Sequence, residues 1–527
     1  MVNYKQVHVN QEPSDKSYFN PKLINYHTSQ AESSNRGPVQ SLSDGRPAEI
    51  TVFQHSSTIG SLKLDQVQGP NSINHHERIS SAVGENVETI IDIFQRDNST
   101  IPQDHDGQTQ SPPSFEFRLW SQYPDVVNWS EVTGMCDSIL RPSSDSMSIP
   151  ISPHNWTIPF PHTDQSILDL VSNCTEFRHI VSFPTESLSK EEKDFPLAYV
   201  FLGARNAAQS VRFFRTIYQP QNAYCLTYDN KSSEAYQKTI NQLSKCFAME
   251  NNVFINPNPE PVYYGLYSIL HTVMECLKIL LEKSRQIPWR YVQIVSWNDF
   301  PLKTNKEMVK IFQILNGSQD SALDPLINEF FVPTWFSDSK ETPEVRPVLP
   351  DGLTIYKGSF ATSMTKDFVK FLFTNPTSIR FYEWLNNTKC AEEHYWTTII
   401  HNIHLGAPGS FPGQCLYFYQ HWNKWKPFIS RYQIWDRDWW HPSKCFGKFW
   451  KFSCVFGVGD VSTLIQRPEL TAHKIYEEFE PATLFCLEHW HWNRVNGITE
   501  KSFEENYYQN LPAVRYHNLQ TKNDFTC

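Results

Sequence analysis

The octet KCAEEHYW, residues 389 to 396, sets two carboxylates side by side between a cysteine and a histidine. A carboxylate can take the proton of an attacking hydroxyl when it is held against the reacting group. The same pair also suits the first turn of a helix, where the dipole favours acids and most glutamates stay solvated. On residue types alone both readings stand. Other acids with chemical capacity are Asp229, which ends CLTYD, and the pair Asn298 and Asp299 after YVQIVSW; each also reads as a capped turn. Asp436-Arg437-Asp438 and Asp104-His105-Asp106 are formally Asp-x-Asp. Neither is read as a metal site: the first lies well past the strand end where a nucleotide's metal would sit, and the second falls in a low-complexity tail.

The elements that must position these groups follow from hydrophobic spacing. LAYVFLGA (197–204) is a continuous apolar run, as in a strand buried on both faces. AAQSVRFFRTIY (207–218) has helical spacing at Val211, Phe214 and Ile217, and NAYCLTYD (222–229) is a second strand. Residues 263–283 place Ile269, Val273, Leu277 and Leu280 on one helical stripe, and YVQIVSW (291–297) is a third strand. This alternation predicts a parallel α/β sheet that binds ligands at the carboxyl ends of its strands, where Asp229, Asn298 and Asp299 sit. Neither G-x-G-x-x-G nor G-x-x-x-x-G-K-[ST] occurs, which argues against a dinucleotide fold and a P-loop.

Composition divides the chain further. Residues 1–115 are rich in Ser, Asn, Gln, Pro and His without helical or strand period, which predicts a disordered tail. Residues 116–190, with Pro and Ser clusters, Cys136 and Cys174, read as an irregular stem-like segment. The regular domain spans 191–505, and 506–527 is read as a C-terminal tail. The formal charge of −10 and the absence of a long basic run set nucleic acid aside as a partner. No run approaches the roughly 18 apolar residues that span a bilayer. The first 30 residues lack a signal-peptide pattern, so that test reads as cytosolic. Eleven cysteines and seven Asn-x-Ser/Thr sequons (Asn98, Asn128, Asn155, Asn173, Asn230, Asn316 and Asn386) point instead to an oxidising, glycosylating compartment.

Seven blocks together carry a family resemblance: SLSKEEKDFPLAYVFLGA, IYQPQNAYCLTYDNKS, NDFPLKTN, KGS (357–359), EEHYWTTI, CVFGVGDV and FEPATLFCLEHW. In order and spacing, over roughly residues 130–495, the chain resembles the core-2/I-branching β-1,6-N-acetylglucosaminyltransferases. The resemblance implies a GT-A-like, Rossmann-like mixed sheet flanked by helices, in the Golgi lumen. It also implies inverting transfer of N-acetylglucosamine from UDP-GlcNAc to a hydroxyl of a glycoprotein O-glycan, with no metal ion. By position, Glu393 matches the family's general base, and Glu392 remains a neighbouring or helix-start acid. His394 reads as packing or a surface polar residue.

For the departing diphosphate the resemblance implies Lys474 in TAHKI, and Lys451 where the family has arginine. That change keeps the charge but loses the two-pronged guanidinium geometry. Asp229 and Leu202 match nucleotide-contacting positions, and Asp299 joins them as a nucleotide-sugar residue. Trp435 matches an acceptor-stacking tryptophan, and Arg437 stands where the family has tyrosine. Residues 332–348 align with none of the family's other acceptor contacts. The implied disulfides are Cys136 to Cys486, Cys174 to Cys246, Cys225 to Cys276 and Cys445 to Cys454. Cys390 and Cys415 offer a fifth bridge, and Cys527 is left free. Two other readings are a related transferase of another UDP-sugar such as UDP-xylose, and an inactive glycan-binding homologue, which the changes at Lys451 and Arg437 permit.

Overall fold

Three strands the sequence marks by apolar runs lie side by side in the computed structural model. It describes residues 129–140, 163–323, 349–386, 388–413, 427–436, 444–497 and 503–519, with Lys522 and Phe525. The central sheet contains β1 (Leu197–Gly203), β2 (Ala223–Tyr228), β3 (Val253–Ile255) and β4 (Tyr291–Ser296). After β5 (Asp299–Pro301), which belongs to another sheet, come β6 (Asp320–Ser321) and β7 (Thr362–Thr365). The order is β3-β2-β1-β4-β7-β6. The first four strands are parallel, and β7 and β6 close one edge antiparallel, so the sheet is mixed.

Alternation along β1 shows why an unbroken apolar run was needed. Leu197, Tyr199 and Phe201 enter one core with helices α1 (Ala207–Ile217), α2 (Glu234–Lys245) and, after β4, α4 (Asn305–Leu315). Ala198 and Val200 enter the other with α3 (Ser268–Glu282) and α5 (Ala391–His401). Burial of a large apolar side chain contributes roughly 1.5–3 kcal/mol, so both faces of β1 hold helices onto the sheet. The stripe Ile269, Val273, Leu277 and Leu280 faces the second core as its spacing predicts, and Cys276 of α3 is bonded to Cys225 of β2.

Helix α3 begins at Ser268 rather than near 263. Gly265 has φ +75, outside helical geometry, so Tyr263 and Tyr264 belong to a loop at the carboxyl edge of the sheet. Two further pairs complete the strands: β8 (Lys448–Trp450) with β9 (Ser453–Val455), and β10 (Thr471–His473) with β5, both antiparallel. Helix α6 (Pro481–Val495) follows β10.

The 116–190 segment is not irregular where it is described. Helices span Trp129–Leu140, Asp164–Ser172 and Cys174–Val181. The polar residues that read as loop are caps: Thr163 accepts from the Ser166 amide and Asn173 from the Glu176 amide. Ile167, Val171 and Phe177 are fully buried in the first core. At the other end Glu505–Gln509 and Pro512–Asn518 are helical, and Tyr508, Leu511 and Val514 are buried, so 505–518 is packed structure rather than a loose tail.

The four bonds Cys136–Cys486, Cys174–Cys246, Cys225–Cys276 and Cys445–Cys454 are all formed. The first closes a separation of 350 residues, which restricts the unfolded chain by about 6 kcal/mol in the entropic treatment. Cys390 is a free thiol, so the fifth bridge is not made. Cys415 and Cys527 lie outside the described residues. Asn173, Asn230, Asn316 and Asn386 are exposed, and Asn98, Asn128 and Asn155 lie outside. No helix among the described residues is long and apolar enough to cross a membrane.

Candidate active site

The carboxyl ends of β1 and β2 carry Leu202 and Asp229, two residues that family position assigns to the nucleotide. Leu202 sits half-buried at the end of β1, and the Asp229 amide donates to the Gly203 carbonyl at 2.9 Å. Asp229 Oδ1 accepts from the amides of Lys231 (3.0 Å) and Val262 (3.1 Å). The Lys231 ammonium pairs with both carboxylate oxygens at 2.7–2.8 Å and lies 4.1 Å from the centre of the Tyr263 ring.

Asp299 stands behind this edge rather than on it. It is 1% exposed. Its Oδ1 is 2.7 Å from His473 Nδ1, while Oδ2 accepts from Arg431 at 2.6 Å and the Ser296 amide at 2.9 Å. Burial acts to raise this carboxyl, but the Arg431 charge and His473 hold it below the ordinary aspartate value. With both oxygens bonded to protein groups, Asp299 holds His473, the residue before Lys474.

Lys474 follows β10 and is 5% exposed. Its ammonium donates to the Trp450 carbonyl at 2.7 Å. Burial first, and then the charges of Lys451 and Arg205, pull it down to about 8. Lys451 is exposed at the β8–β9 turn, where it and Phe452 take positive φ (48 and 66). The Cys445–Cys454 bond ties the base of that hairpin. Two ammonium groups thus converge on one hairpin, an arrangement suited to a group of two or more negative charges. Trp435 bridges Ser453 of the same hairpin, and the Asp436 amide donates to Phe452 at 2.9 Å. Arg437 and residues 332–348 lie outside the described residues.

Glu393 lies in the first turn of α5, with its side chain 20% exposed and its carboxylate 3.2 Å from Lys357 Nζ. Its backbone carbonyl accepts from Gly358 at 2.7 Å. A Cβ on Gly358 would lie 2.2 Å from the Ala322 carbonyl oxygen and 2.3 Å from Thr397 Oγ1, which is why KGS carries glycine there. Cys390 precedes α5 with φ 53, and its amide donates to Gly265 at 2.9 Å. Tyr264 thereby comes to the acids. The residue is 72% exposed, yet its phenol is pushed up to about 12, by desolvation first and then by Glu393, Cys390 and Glu392. Its ring centre is 5.8 Å from Lys451 Nζ. Tyr264 therefore links the carboxylate end to the ammonium end.

Glu392 is not the solvated acid that frequency would suggest. It is 5% exposed, Oε2 has no hydrogen-bond partner among the described residues, and burial followed by the Glu393 charge pushes it up to about 8. Burial thus favours its neutral form, and Glu393 is the acid paired with Lys357. His394 is buried packing: Nδ1 is 3.0 Å from the Tyr356 carbonyl, and burial lowers the ring to about 4.

Tyr264, Lys357 and Lys231 were not identified from sequence. The run YYG before the α3 stripe was the available signal for Tyr264. Lys357 opens the KGS block, but its pairing with Glu393 depends on a contact between distant segments.

Residues 197–463 match the family described as Core-2/I-Branching enzyme. The chain is 32% identical to the Mus musculus N-acetyllactosaminide β-1,6-N-acetylglucosaminyl-transferase over 326 residues, which cover 60% of this chain and 77% of that protein. It is 31% identical to the Homo sapiens β-1,3-galactosyl-O-glycosyl-glycoprotein β-1,6-N-acetylglucosaminyltransferase 3, covering 63% and 76%. Identity to the Sus scrofa probable β-1,3-galactosyl-O-glycosyl-glycoprotein β-1,6-N-acetylglucosaminyltransferase 7 is 30%, covering 64% and 78%.

Proposed function

Because the chain belongs to the Core-2/I-Branching enzyme family and is a glycosyltransferase, we propose that it transfers N-acetylglucosamine from UDP-GlcNAc to a hydroxyl of a glycoprotein glycan. The linkage is β-1,6 and the sugar inverts at C1. The observation that carries this reading is the run of electrostatic neighbours from Glu393 past Tyr264, whose ring centre is 5.8 Å from Lys451 Nζ, to Lys451 and Lys474.

In the step, the acceptor oxygen forms a bond to C1 as the bond from C1 to the diphosphate oxygen breaks. Glu393 takes the hydroxyl proton. The electron pair leaves with UDP, and the ammonium groups of Lys474 and Lys451 hold the charge that develops there. Asp229 and Leu202 position the nucleotide, Asp299 holds the strand before Lys474, and Trp435 offers a face to the acceptor sugar. Lys357, 3.2 Å away, pairs with Glu393 before the acceptor arrives. In this reading the lysines serve in place of a divalent metal.

The four disulfides and the exposed sequon asparagines support a lumenal site in the secretory pathway, the Golgi in the family reading. The test is transfer by the purified protein in EDTA, with UDP-GlcNAc and UDP-xylose as donors and O-glycans ending in β-1,3-galactosyl or N-acetyllactosamine units as acceptors. β-1,6-linked N-acetylglucosamine formed in EDTA is the expected product. Activity lost in EDTA and restored by Mn²⁺ would overturn the role given to the lysines, and transfer of xylose alone would overturn the donor.

A further inference from the structure

Beside the proposed base is a cluster that the transfer step does not use. Cys390 is a free thiol, and its sulfur, one Glu392 carboxylate oxygen and one Glu393 carboxylate oxygen all lie within 4.8 Å of one another. A sulfur and two oxygens bound tetrahedrally to one Zn²⁺, at about 2.0–2.3 Å from the ion, stand about 3.5 Å apart. The contraction needed is at most about 1.3 Å, within reach of side-chain rotation. Acidic clusters are common, but this one contains a buried oxygen that lacks a partner: Glu392 is 5% exposed and its Oε2 is unbonded among the described residues. A buried carboxyl oxygen left unbonded is destabilising, and an ion would satisfy it.

We propose that Cys390, Glu392 and Glu393 form a three-ligand site for a thiophilic divalent cation of the Zn²⁺ type, and that filling it inhibits transfer. The donor set of one thiolate and two carboxylates suits Zn²⁺, whose fourth position is left to water. Cys390 gives up its thiol proton on binding, and Glu392 gives up its carboxyl proton. Entry is open, since Cys390 is only partly buried and the Glu393 side chain is 20% exposed. Ligation through one oxygen of Glu393 leaves the other to Lys357. The bound ion then competes with the acceptor hydroxyl for the carboxylate that should take its proton. A second cluster, Cys445, Cys454 and Asp460, offers no thiolate because its sulfurs are joined. The inhibitory consequence rests on Glu393 being the base; the binding does not.

The test uses the full chain, stripped with EDTA and returned to metal-free buffer. Cd²⁺ titration is read by sulfur-to-metal charge-transfer absorption, and Zn²⁺ titration by competition with a chromophoric chelator. One ion per chain is expected at this site, with binding weakened by at least 10–100-fold in Cys390→Ser and in Glu392→Gln. In the transfer assay Zn²⁺ should inhibit the parent, EDTA should restore the rate, and Cys390→Ser, measured against its own metal-free rate, should resist Zn²⁺. Absence of the charge-transfer band, or equal binding in both variants and the parent, overturns the site. Equal inhibition of Cys390→Ser overturns its role in inhibition. A chain that binds Cd²⁺ through Cys390 but transfers no sugar would retain the site and refute the functional reading instead.

Discussion

The two ends of the proposed site are built in opposite ways. The ammonium end is assembled by strand pairing: β10 lies on β5, the β8–β9 hairpin is tied by Cys445–Cys454, and Asp299 grips Arg431 and His473 beneath Lys474. The carboxylate end is assembled by the approach of separate loops, with Gly265, Gly358 and Cys390 bringing Tyr264 and Lys357 to the first turn of α5. Backbone hydrogen bonds space the cations, whereas close packing and one suppressed charge, that of Glu392, isolate the base. The ends should therefore fail separately, one through turnover and the other through UDP affinity.

The largest separation is expected from Glu393→Gln, which should lower turnover by roughly 10²–10⁴-fold in steady-state assays. Lys474→Ala should come next, with a loss of about 10²–10³-fold in kcat/KM and weaker UDP binding by calorimetry. Gly358→Ala should destabilise the loop at the carboxylate end by about 1–3 kcal/mol, seen as a lower denaturant midpoint and lower kcat with UDP affinity retained. The smallest effect is pH-dependent. Lys474 is drawn down to about 8, so it is charged below that pH and neutral above it. UDP affinity should therefore hold below pH 8 and fall by up to tenfold per pH unit above it. Glu392 also titrates near 8; if Lys474 is the cause, Glu392→Gln leaves the alkaline fall in place.

Much of the scaffold was legible because burial on both faces demands the unbroken run of β1, and one buried face demands the stripe of α3. The helix start was misplaced because Gly265 breaks a pattern that Tyr263 and Tyr264 extend in sequence. The polar clusters before residue 190 looked irregular because Ser, Thr and Asn serve loops and caps equally. Within the site, family position names Lys474, Lys451 and Glu393, and Tyr264 is an electrostatic neighbour of Glu393 with its ring 5.8 Å from Lys451. Asp299 could be located but not interpreted, since its position gives no sign of Arg431 and His473 waiting for its oxygens. Burial of Glu392 and the approach of Lys357 depend on contacts between distant segments, which neither local spacing nor helix propensity encodes.

The division of labour between the two ends is tested most directly by titrating UDP, in EDTA, into the parent chain, Glu393→Gln and Lys474→Ala. The account predicts parental affinity for Glu393→Gln and at least tenfold weaker binding for Lys474→Ala, about 1.4 kcal/mol. Weakened binding in Glu393→Gln with Lys474→Ala unchanged would contradict it.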